Sequence, residues 1–475
     1  MKNRLMITCL LVLPIFFAGP AAALEVPRWL DAENAEPEAE AGEGRFRDAS
    51  NLMHGVFGFA GLSRTSEAGH DNYRPELAGE PMAERGRLWL DLLREINTTY
   101  HRDGRFLSVA GQGDDTTEVF LRDYPHGVYA YHMHHRAGRW ADHGLEEAIV
   151  RAELLYQVRP AIYLINEHFA EGRFYHDREH NGFDKNSMVH GLAGLHGTVY
   201  GWVRWAKPDG AEDMGALPED RLAGWFGITP NDLAEEVARP AAEVLLKSWD
   251  STRRIYRLDD DDTWSLEALG SLLRGSKAVY ETLYMFGDGE KDRAMAEELA
   301  RHAANVLEGL FTLSRQWGLP EKINFTEEGP AAASDKVDTE AQWSFVNHLG
   351  SGFALLSEEE GMSDFIANGP LRDVPAAIGR EVDGWLEFTL ERGLADGYLP
   401  ETYAYADGAI KSARHAVAAA GIFVVAASNN YRRGEMFERA SDWDDVPSSV
   451  VERSRKLYDT LLAHVEKLEG LVLRD

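Results

Sequence analysis

The chain has 475 residues and a net charge of −30, with 79 acidic residues against 49 basic ones. Such an acidic protein is a poor partner for nucleic acids and anionic membranes, because both carry negative charge themselves. The only cysteine is Cys9, which excludes an internal disulfide and any zinc site built from several cysteines.

The N-terminal segment reads as a secretory signal. Residues 1–23 begin with basic residues, continue with an apolar run and end on three alanines, and we predict cleavage after Ala23. Removing them takes away Cys9 and leaves a net charge of −32. Residues 24–48 are acidic and poor in apolar side chains, which predicts a flexible leader. We therefore expect a periplasmic or secreted protein, with no later segment apolar enough to enter a membrane.

A histidine followed four residues later by glycine or alanine recurs along the remaining chain. A small residue at that spacing lies on the histidine's own helical face, so each copy predicts a helix that another helix can approach closely. Glu267, with Ser271 four residues on, fills the one gap in the series. Positions that recur in repeated helices tend to meet around one axis. The six positions, 64 to 81 residues apart, are His54, His126, His190, Glu267, His348 and His415.

Two kinds of helix alternate after residue 49. Some are apolar nearly all round, which is typical of buried helices; they span 187–205, 342–356 and 413–427. The others are amphipathic and predict an outer layer; they span 82–96, 145–169, 232–249, 294–311, 374–393 and 450–470. Turns that precede an apolar residue follow five of them and begin at Asp103, Glu171, Thr252, Trp317 and Asp396. We predict an all-α fold in which residues 49–475 form a single (α/α)6 toroid of six helical hairpins.

This repeat resembles the α/α-toroid, or six-hairpin, superfamily. That group includes glycosidases, polysaccharide lyases, sugar epimerases, terpene-cyclase-like proteins and lanthionine-synthetase cyclases. The segment Val189–Gly197, VHGLAGLHG, is particularly similar to the His-Gly inner helices of the lanthionine cyclases. Those enzymes hold zinc partly through cysteines, which the mature chain lacks, so the resemblance implies their fold and not their activity. Polysaccharide lyases and glycosidases are nearest in character, which implies a carbohydrate-active enzyme with its site in a central funnel.

Asn347 and His348 stand side by side on a predicted inner helix. In the toroid lyases, an asparagine neutralises a uronate carboxylate while a histidine or tyrosine removes the neighbouring proton, and the resemblance implies these roles here. The chemistry needs both groups because that proton is acidic only when the developing charge is stabilised. Tyr124, Tyr403 or Tyr405 would then donate a proton, and Arg414 would clamp the carboxylate. Adjacent helical residues point about 100° apart, so both face one cavity only near its rim.

A glycoside hydrolase is the first alternative, because four carboxylates precede or enter inner helices; they are Asp184, Glu267, Glu340 and Glu401. Trp264 and Trp343 occupy matching positions, where they either grip sugar rings or plug the helix starts. The expected partner is a polysaccharide or oligosaccharide. The residues predicted to bind it are Trp264, Trp343, Arg414, His126, His415 and Asp184, and those predicted to be catalytic are His348, Asn347, His190, Glu267, Tyr124 and Tyr403.

A second alternative is a non-catalytic binding toroid in which the histidines form a buried structural ring. No motif requires a cofactor, and a divalent metal stays open. His176 and His180 are four residues apart, a ligand spacing on a helix, but their sequence reads as a loop. The acidic run 259–262 either binds calcium or caps the helix that follows it. The oligomeric state is not predicted.

Overall fold

The structure is a computed structural model, and it describes most of the middle of the chain. Residues 162–205, 229–350 and 368–415 are described, with 101–102, 105–106, 365, 419–420, 422–423, 426–427, 456–457 and 460. The helices numbered in these ranges are α1 (Lys185–Trp205), α2 (Pro230–Leu233), α3 (Arg239–Ser248), α4 (Leu266–Phe286), α5 (Gly289–Phe311), α6 (Thr339–Gly350) and α7 (Val374–Phe388). Residues 162–168 are also helical. A π-helical segment, Ala234–Ala238, joins α2 to α3, and another, Thr389–Gly393, extends α7.

Short antiparallel strands separate the helices, so the described part is not purely helical as the sequence predicted. The strands are β1 (His101–Arg102), β2 (Arg105–Phe106), β3 (Phe169–Ala170), β4 (Arg173–Phe174), β5 (Trp249–Asp250), β6 (Ile255–Tyr256), β7 (Thr263–Ser265), β8 (Lys322–Thr326), β9 (Gly329–Ala332), β10 (Lys336–Asp338), β11 (Pro400–Ala404) and β12 (Ile410–His415). They form three two-stranded ribbons and two three-stranded sheets. Within the described ranges, no helix combines the length and apolar character needed to cross a bilayer.

Each predicted turn after an outer helix is flanked by paired residues of a very short hairpin, and the turns at Glu171, Thr252, Trp317 and Asp396 are confirmed. Residues 103–104 of the first turn lie outside the described residues. The first three hairpins are the ribbons β1–β2, β3–β4 and β5–β6, and the last two are the single bridges Arg315–Gly318 and Ala395–Tyr398. The turns need left-handed backbone: Glu171 has φ of 53° and Gly172 has φ of 78°. The same kind of short hairpin therefore turns the chain from each of these outer helices towards the next inner helix.

The two three-stranded sheets join the loops of neighbouring helical hairpins at the points where the inner helices begin. β7 runs directly into α4 and pairs with β8, which lies in the loop before α6. β10 runs directly into α6 and pairs with β11, and β11 pairs with β12. The predicted inner-helix position of His415 is wrong, because His415 ends β12, opposite Pro400. The bulged pairing of β11 with β12 extends the strand through this residue, and helix is described only from Ala419 onward.

The inner helices α1, α4 and α6 lie side by side, with α4 in the middle. Glycines on α4 permit the close approach. A Cβ added to Gly275 would lie 2.6 Å from the Cβ of Leu192 on α1, and one added to Gly270 would lie 2.9 Å from the His348 ring on α6. Contacts advance in the same direction along all three helices, which are therefore parallel. The sixfold closure, with His54, His126 and Tyr124, lies outside the described residues and stays a prediction.

The outer helices α3 and α5 pack behind this layer and are joined by one buried ion pair. Arg239 of α3 donates two hydrogen bonds, of 2.9 and 2.8 Å, to the carboxylate of Asp292 on α5. Asp292 also accepts from the backbone N–H of Asp288 at 2.7 Å, and its side chain is 1% exposed. The Arg239 hydrogen bonds lower the pKa of Asp292, so its stabilising effect is present at neutral pH and is lost as the solution is acidified.

Asp292→Asn should destabilise the fold by about 3 kcal/mol, because it leaves a largely buried guanidinium without its carboxylate. The matched control is Glu243→Gln. Glu243 also joins α3 to α5, through Lys291 at 2.9 Å, but both side chains are more than half exposed, so the loss should stay below about 1 kcal/mol. Urea unfolding at neutral pH measures both changes. Equal losses would show that the buried pair does not hold these helices together.

Gly275→Ala should destabilise the fold by about 1 to 3 kcal/mol, because the new methyl group would overlap α1. Gly384→Ala is the control: an added Cβ on this residue of α7 meets nothing within 4 Å, so the better helix former should be neutral or mildly stabilising. Thermal unfolding followed by circular dichroism compares the two. A harmless Gly275→Ala would contradict the close packing of α1 against α4.

Candidate functional site

A line of polar side chains runs along the buried face of α4. Ser271, Arg274, Lys277 and Glu281 are spaced three or four residues apart, which places them on one side of the helix. Each is at most 3% exposed. Burying charged groups is costly unless they are hydrogen-bonded or paired. We call these four residues the polar stripe, and its partners define the candidate site.

Three histidines from the flanking inner helices hydrogen-bond to the polar stripe. On the α1 side, His190 Nδ1 lies 2.9 Å from Ser271 Oγ, and His196 Nε2 lies 3.4 Å from Lys277 Nζ. On the α6 side, His348 Nδ1 lies 3.1 Å from Arg274 Nη1. All three imidazoles are buried. The middle inner helix therefore brings histidines of both neighbours to one buried polar surface.

The C-terminal end of the polar stripe holds an ion pair. Lys277 Nζ lies 3.1 Å from Glu281 Oε1, and the two side chains are 1% and 4% exposed. Burial raises the pKa of Glu281 to about 7, although the neighbouring ammonium of Lys277 acts to lower it. Glu281 therefore changes its charge near neutral pH, in contrast to a carboxylate in water.

The structure places His190, Asn347 and His348 in the interior. Glu267 lies at a different level along α4 from the one that the sequence predicted. Asn347 is fully buried next to His348 on α6. Glu267 is half-buried one helical turn before the polar stripe. The sequence predicted Glu267 at the level of the histidines, and this register is wrong, because the close packing of α4 puts Ser271 opposite His190.

Trp264 and Trp343 are both 1% exposed, so neither ring presents a face to solvent. The ammonium of Lys185 lies 5.3 Å above the centre of the Trp264 ring. The Trp343 ring meets Phe423 edge-on, with the two ring centres 4.6 Å apart. Of the two predicted roles, plugging the helix starts matches these positions better than gripping a sugar ring.

Asp184 caps the start of α1. Its carboxylate accepts from the backbone N–H of Ser187 at 2.7 Å, and Ser187 Oγ accepts from the Asp184 N–H at 3.2 Å. His176 Nε2 lies 3.1 Å from the same carboxylate. Burial acts to raise the pKa of Asp184, but the hydrogen bonds from His176 and Ser187 lower it to about 2. The carboxylate predicted to bind substrate therefore has a structural task in this structure.

The acidic turn 259–262 encloses a lysine ammonium. Lys185 Nζ donates to the Asp261 carbonyl oxygen at 2.5 Å and lies 3.0 and 3.5 Å from the carboxylates of Asp261 and Asp259. Asp259 also accepts from the Lys185 backbone N–H, so the turn caps α1, whereas Ser265 caps α4. No three histidine, cysteine, aspartate or glutamate side chains of the described residues are grouped to hold a metal ion.

Two of the remaining predicted residues, Tyr403 and Glu401, have partners outside the polar stripe. The Tyr403 hydroxyl donates to the Gly393 carbonyl at 2.8 Å, and its ring packs in a separate small cluster with Val337 and Phe388. Arg414 is exposed on β12. Glu340 and Glu401 are half-buried, and Glu401 accepts from Ser412 Oγ at 2.7 Å. The side chains of His126, Tyr124 and His415 lie outside the described residues.

Sequence reasoning missed four members of this site: Arg274, Lys277 and Glu281 of α4, and His196 of α1. A signal was present in the sequence. The stretch LEALGSLLRGSKAVYETLYMF is otherwise apolar or small, and it carries its charges three or four residues apart. In a helix that is apolar all round, a charged stripe is buried and has to find partners inside the protein.

An open groove of about 1110 Å³ lies elsewhere, between α5 and α7. Apolar residues such as Tyr284, Phe311 and Phe365 line it, together with charged residues of both signs. It contains no member of the polar stripe and none of the three histidines, so it is separate from the candidate site.

Comparisons with known proteins give distant structural likenesses, of which two are described. No family model matches the chain, and no curated protein matches its sequence. A sugar epimerase from a ruminal bacterium is 10% identical over 82% of this chain and 88% of that one, with a TM-score of 0.45. A D-mannose isomerase is 8% identical over 86% of this chain and 96% of that one, with a TM-score of 0.46. Similarity this low carries neither fold nor function over to this chain.

Glu281→Gln should change how stability depends on pH. The pKa of Glu281 is raised in the folded state, so this carboxyl lowers stability as the pH rises from its ordinary value to about 7. The variant should lack this loss, which is on the order of 3 kcal/mol. Subtracting the free energies of unfolding of the two proteins between about pH 4.5 and 7.5 isolates the effect. Parallel curves would mean that Glu281 is ionised normally in the fold.

Proposed function

We propose that this chain is a carbohydrate-active enzyme that moves protons at a sugar carbon next to a carboxylate or carbonyl group. The observation that supports it is the arrangement around Arg274, with His190 reaching the polar stripe from α1 and His348 reaching it from α6. A base, an acid and a fixed cation are the groups that this chemistry requires. The proposal rests on the polar stripe and not on the two distant structural likenesses.

The division of roles follows from what each group can do. One imidazole removes the proton, and the negative charge that then develops on the neighbouring oxygen is stabilised by the guanidinium of Arg274. The imidazolium formed in this way returns the proton to the leaving group or to the carbon, and a second imidazole donates a hydrogen bond to the sugar. Asn347, buried beside His348, carries an amide group that can donate a hydrogen bond. The buried setting strengthens each of these electrostatic interactions.

Elimination from a uronate-containing polymer is the preferred reaction. A uronate has its acidic proton next to a carboxylate, which suits an arginine because guanidinium and carboxylate match in charge and geometry. Hydrolysis is less well supported, since two of the predicted carboxylates have other partners: Asp184 caps α1, and Glu401 accepts a hydrogen bond from Ser412. A non-catalytic toroid with structural histidines is the remaining alternative.

The test combines two measurements on the mature protein. Uronate polymers, neutral oligosaccharides and free aldoses are incubated in D₂O, and NMR follows deuterium entering the sugar while ultraviolet absorbance follows unsaturated products. We expect one class of sugar to exchange, and Arg274→Met and His348→Gln to slow exchange by about 100-fold or more. His302→Gln is the matched control, because His302 is buried on α5 and stacks on Trp249, away from the polar stripe.

The other outcomes separate the alternatives. New reducing ends without deuterium entry or absorbance would favour a hydrolase. Saturable binding of a sugar without any reaction would favour the binding toroid. If His302→Gln and His348→Gln slow deuterium exchange equally, the histidines act only by stabilising the fold.

A further inference from the structure

We propose that Arg274 and Lys277 are positioning residues that fix the tautomers of His348 and His196, so that His190 is the imidazole of the three that gains and loses the proton. The tautomer part stands on hydrogen-bond geometry alone. The last step rests on the proposed function, because it names His190 as the base of that reaction.

Arg274 fixes His348 because a guanidinium can only donate hydrogen bonds. Arg274 Nη1 lies 3.1 Å from His348 Nδ1, so that ring nitrogen carries a lone pair and accepts. A neutral imidazole then has its proton on Nε2. The ring is also held sterically, since its Cδ2 packs against Gly270 so closely that an added Cβ would lie 2.9 Å away. His348 is thereby set to present Nε2–H as a donor.

Lys277 fixes the tautomer of His196 in the same way, but here the ring proton lies on Nδ1 instead of Nε2. The ammonium of Lys277 pairs with Glu281 at 3.1 Å and lies 3.4 Å from His196 Nε2. An ammonium has three donors and no acceptor, so Nε2 accepts and the ring proton lies on Nδ1. Protonating this imidazole would place a positive charge next to the buried ammonium of Lys277, which is electrostatically unfavourable. His196 therefore stays neutral and serves to position its neighbours.

His190 differs because its partner on the polar stripe is a hydroxyl. Ser271 Oγ, 2.9 Å from His190 Nδ1, can either donate or accept a hydrogen bond. The contact therefore survives whether that nitrogen carries a proton or a lone pair. Charged and titratable groups at the polar stripe include its own Arg274, Lys277 and Glu281, with His196 of α1 and His348 of α6. Of the three histidines, His190 has the stripe partner that suits a base.

Imidazole nitrogen NMR tests the tautomers without any substrate. In protein labelled with ¹⁵N-histidine, we expect His348 to report Nε2–H and His196 to report Nδ1–H, both unchanged between about pH 5 and 8, while His190 titrates. His→Gln variants assign the signals. Arg274→Met and Lys277→Met should each shift only the partner ring towards a mixture of tautomers, and Arg274→Lys should keep Nε2–H on His348 because lysine also donates.

Activity measurements then test separately whether His190 is the base of the proposed reaction. His190→Gln should slow deuterium entry into the reacting sugar by about 100-fold or more, and His196→Gln by less than about 10-fold. A His348 ring that titrates in this range, or keeps its tautomer in Arg274→Met, would overturn the positioning roles. If the Met variants do not fold, the parent spectrum and Arg274→Lys still decide. Fixed tautomers in a protein that exchanges no sugar proton would refute the proposed function and leave the tautomer assignment standing.

Discussion

The close approach of α4 to both of its neighbours is the constraint on which the described structure depends. Glycine at 270 and at 275 allows it, since a side chain at either place would overlap α6 or α1. Close packing removes water from the helix faces, so every polar group there needs a partner within the protein. The hydrogen bonds that join Ser271, Arg274 and Lys277 to three histidines supply part of these partners. Packing and candidate chemistry therefore have one origin.

The small sheets are the second requirement for such a site. Three parallel helices hold their side chains in register only if their starting points are fixed along the axis. β7 and β10 run without a break into α4 and α6 and are paired with strands of the next loop, which fixes both starts. An arrangement held within fractions of an ångström needs this kind of support, because groups on loose loops lose the geometry that proton transfer requires.

The sequence predicted the parts of the fold that depend on local patterns. The outer helices at 232–249, 294–311 and 374–393 are confirmed within a few residues, because their amphipathic faces repeat with the helical period. The turns after them are confirmed because glycine and the turn residues act locally. His415 was misplaced because strand pairing with Pro400, 15 residues earlier, decides its backbone. The same limitation explains why the short sheets were missed.

The site was only half predictable. The histidine positions 190 and 348 came from the repeat, but the polar stripe did not, because charged residues on a helix are normally solvated and were not sought inside. Hydrogen bonds such as Arg274 to His348 join residues 74 apart, and the exact helix register that makes them is set by packing. Trp264 and Trp343 show the same point: their sequence positions were informative, but their burial could be read only from the fold.

The lysine enclosed by the acidic turn has a consequence for the conditions under which the protein works. Loops of clustered aspartates are often ordered by calcium, and chelators or a change of habitat can then disorder them. Here the cation is the Nζ of Lys185, which is part of the chain and lies against Asp259 and Asp261. A tethered ammonium cannot be chelated or exchanged for another ion. The start of α1, and with it His190, is therefore held in place independently of any calcium supply.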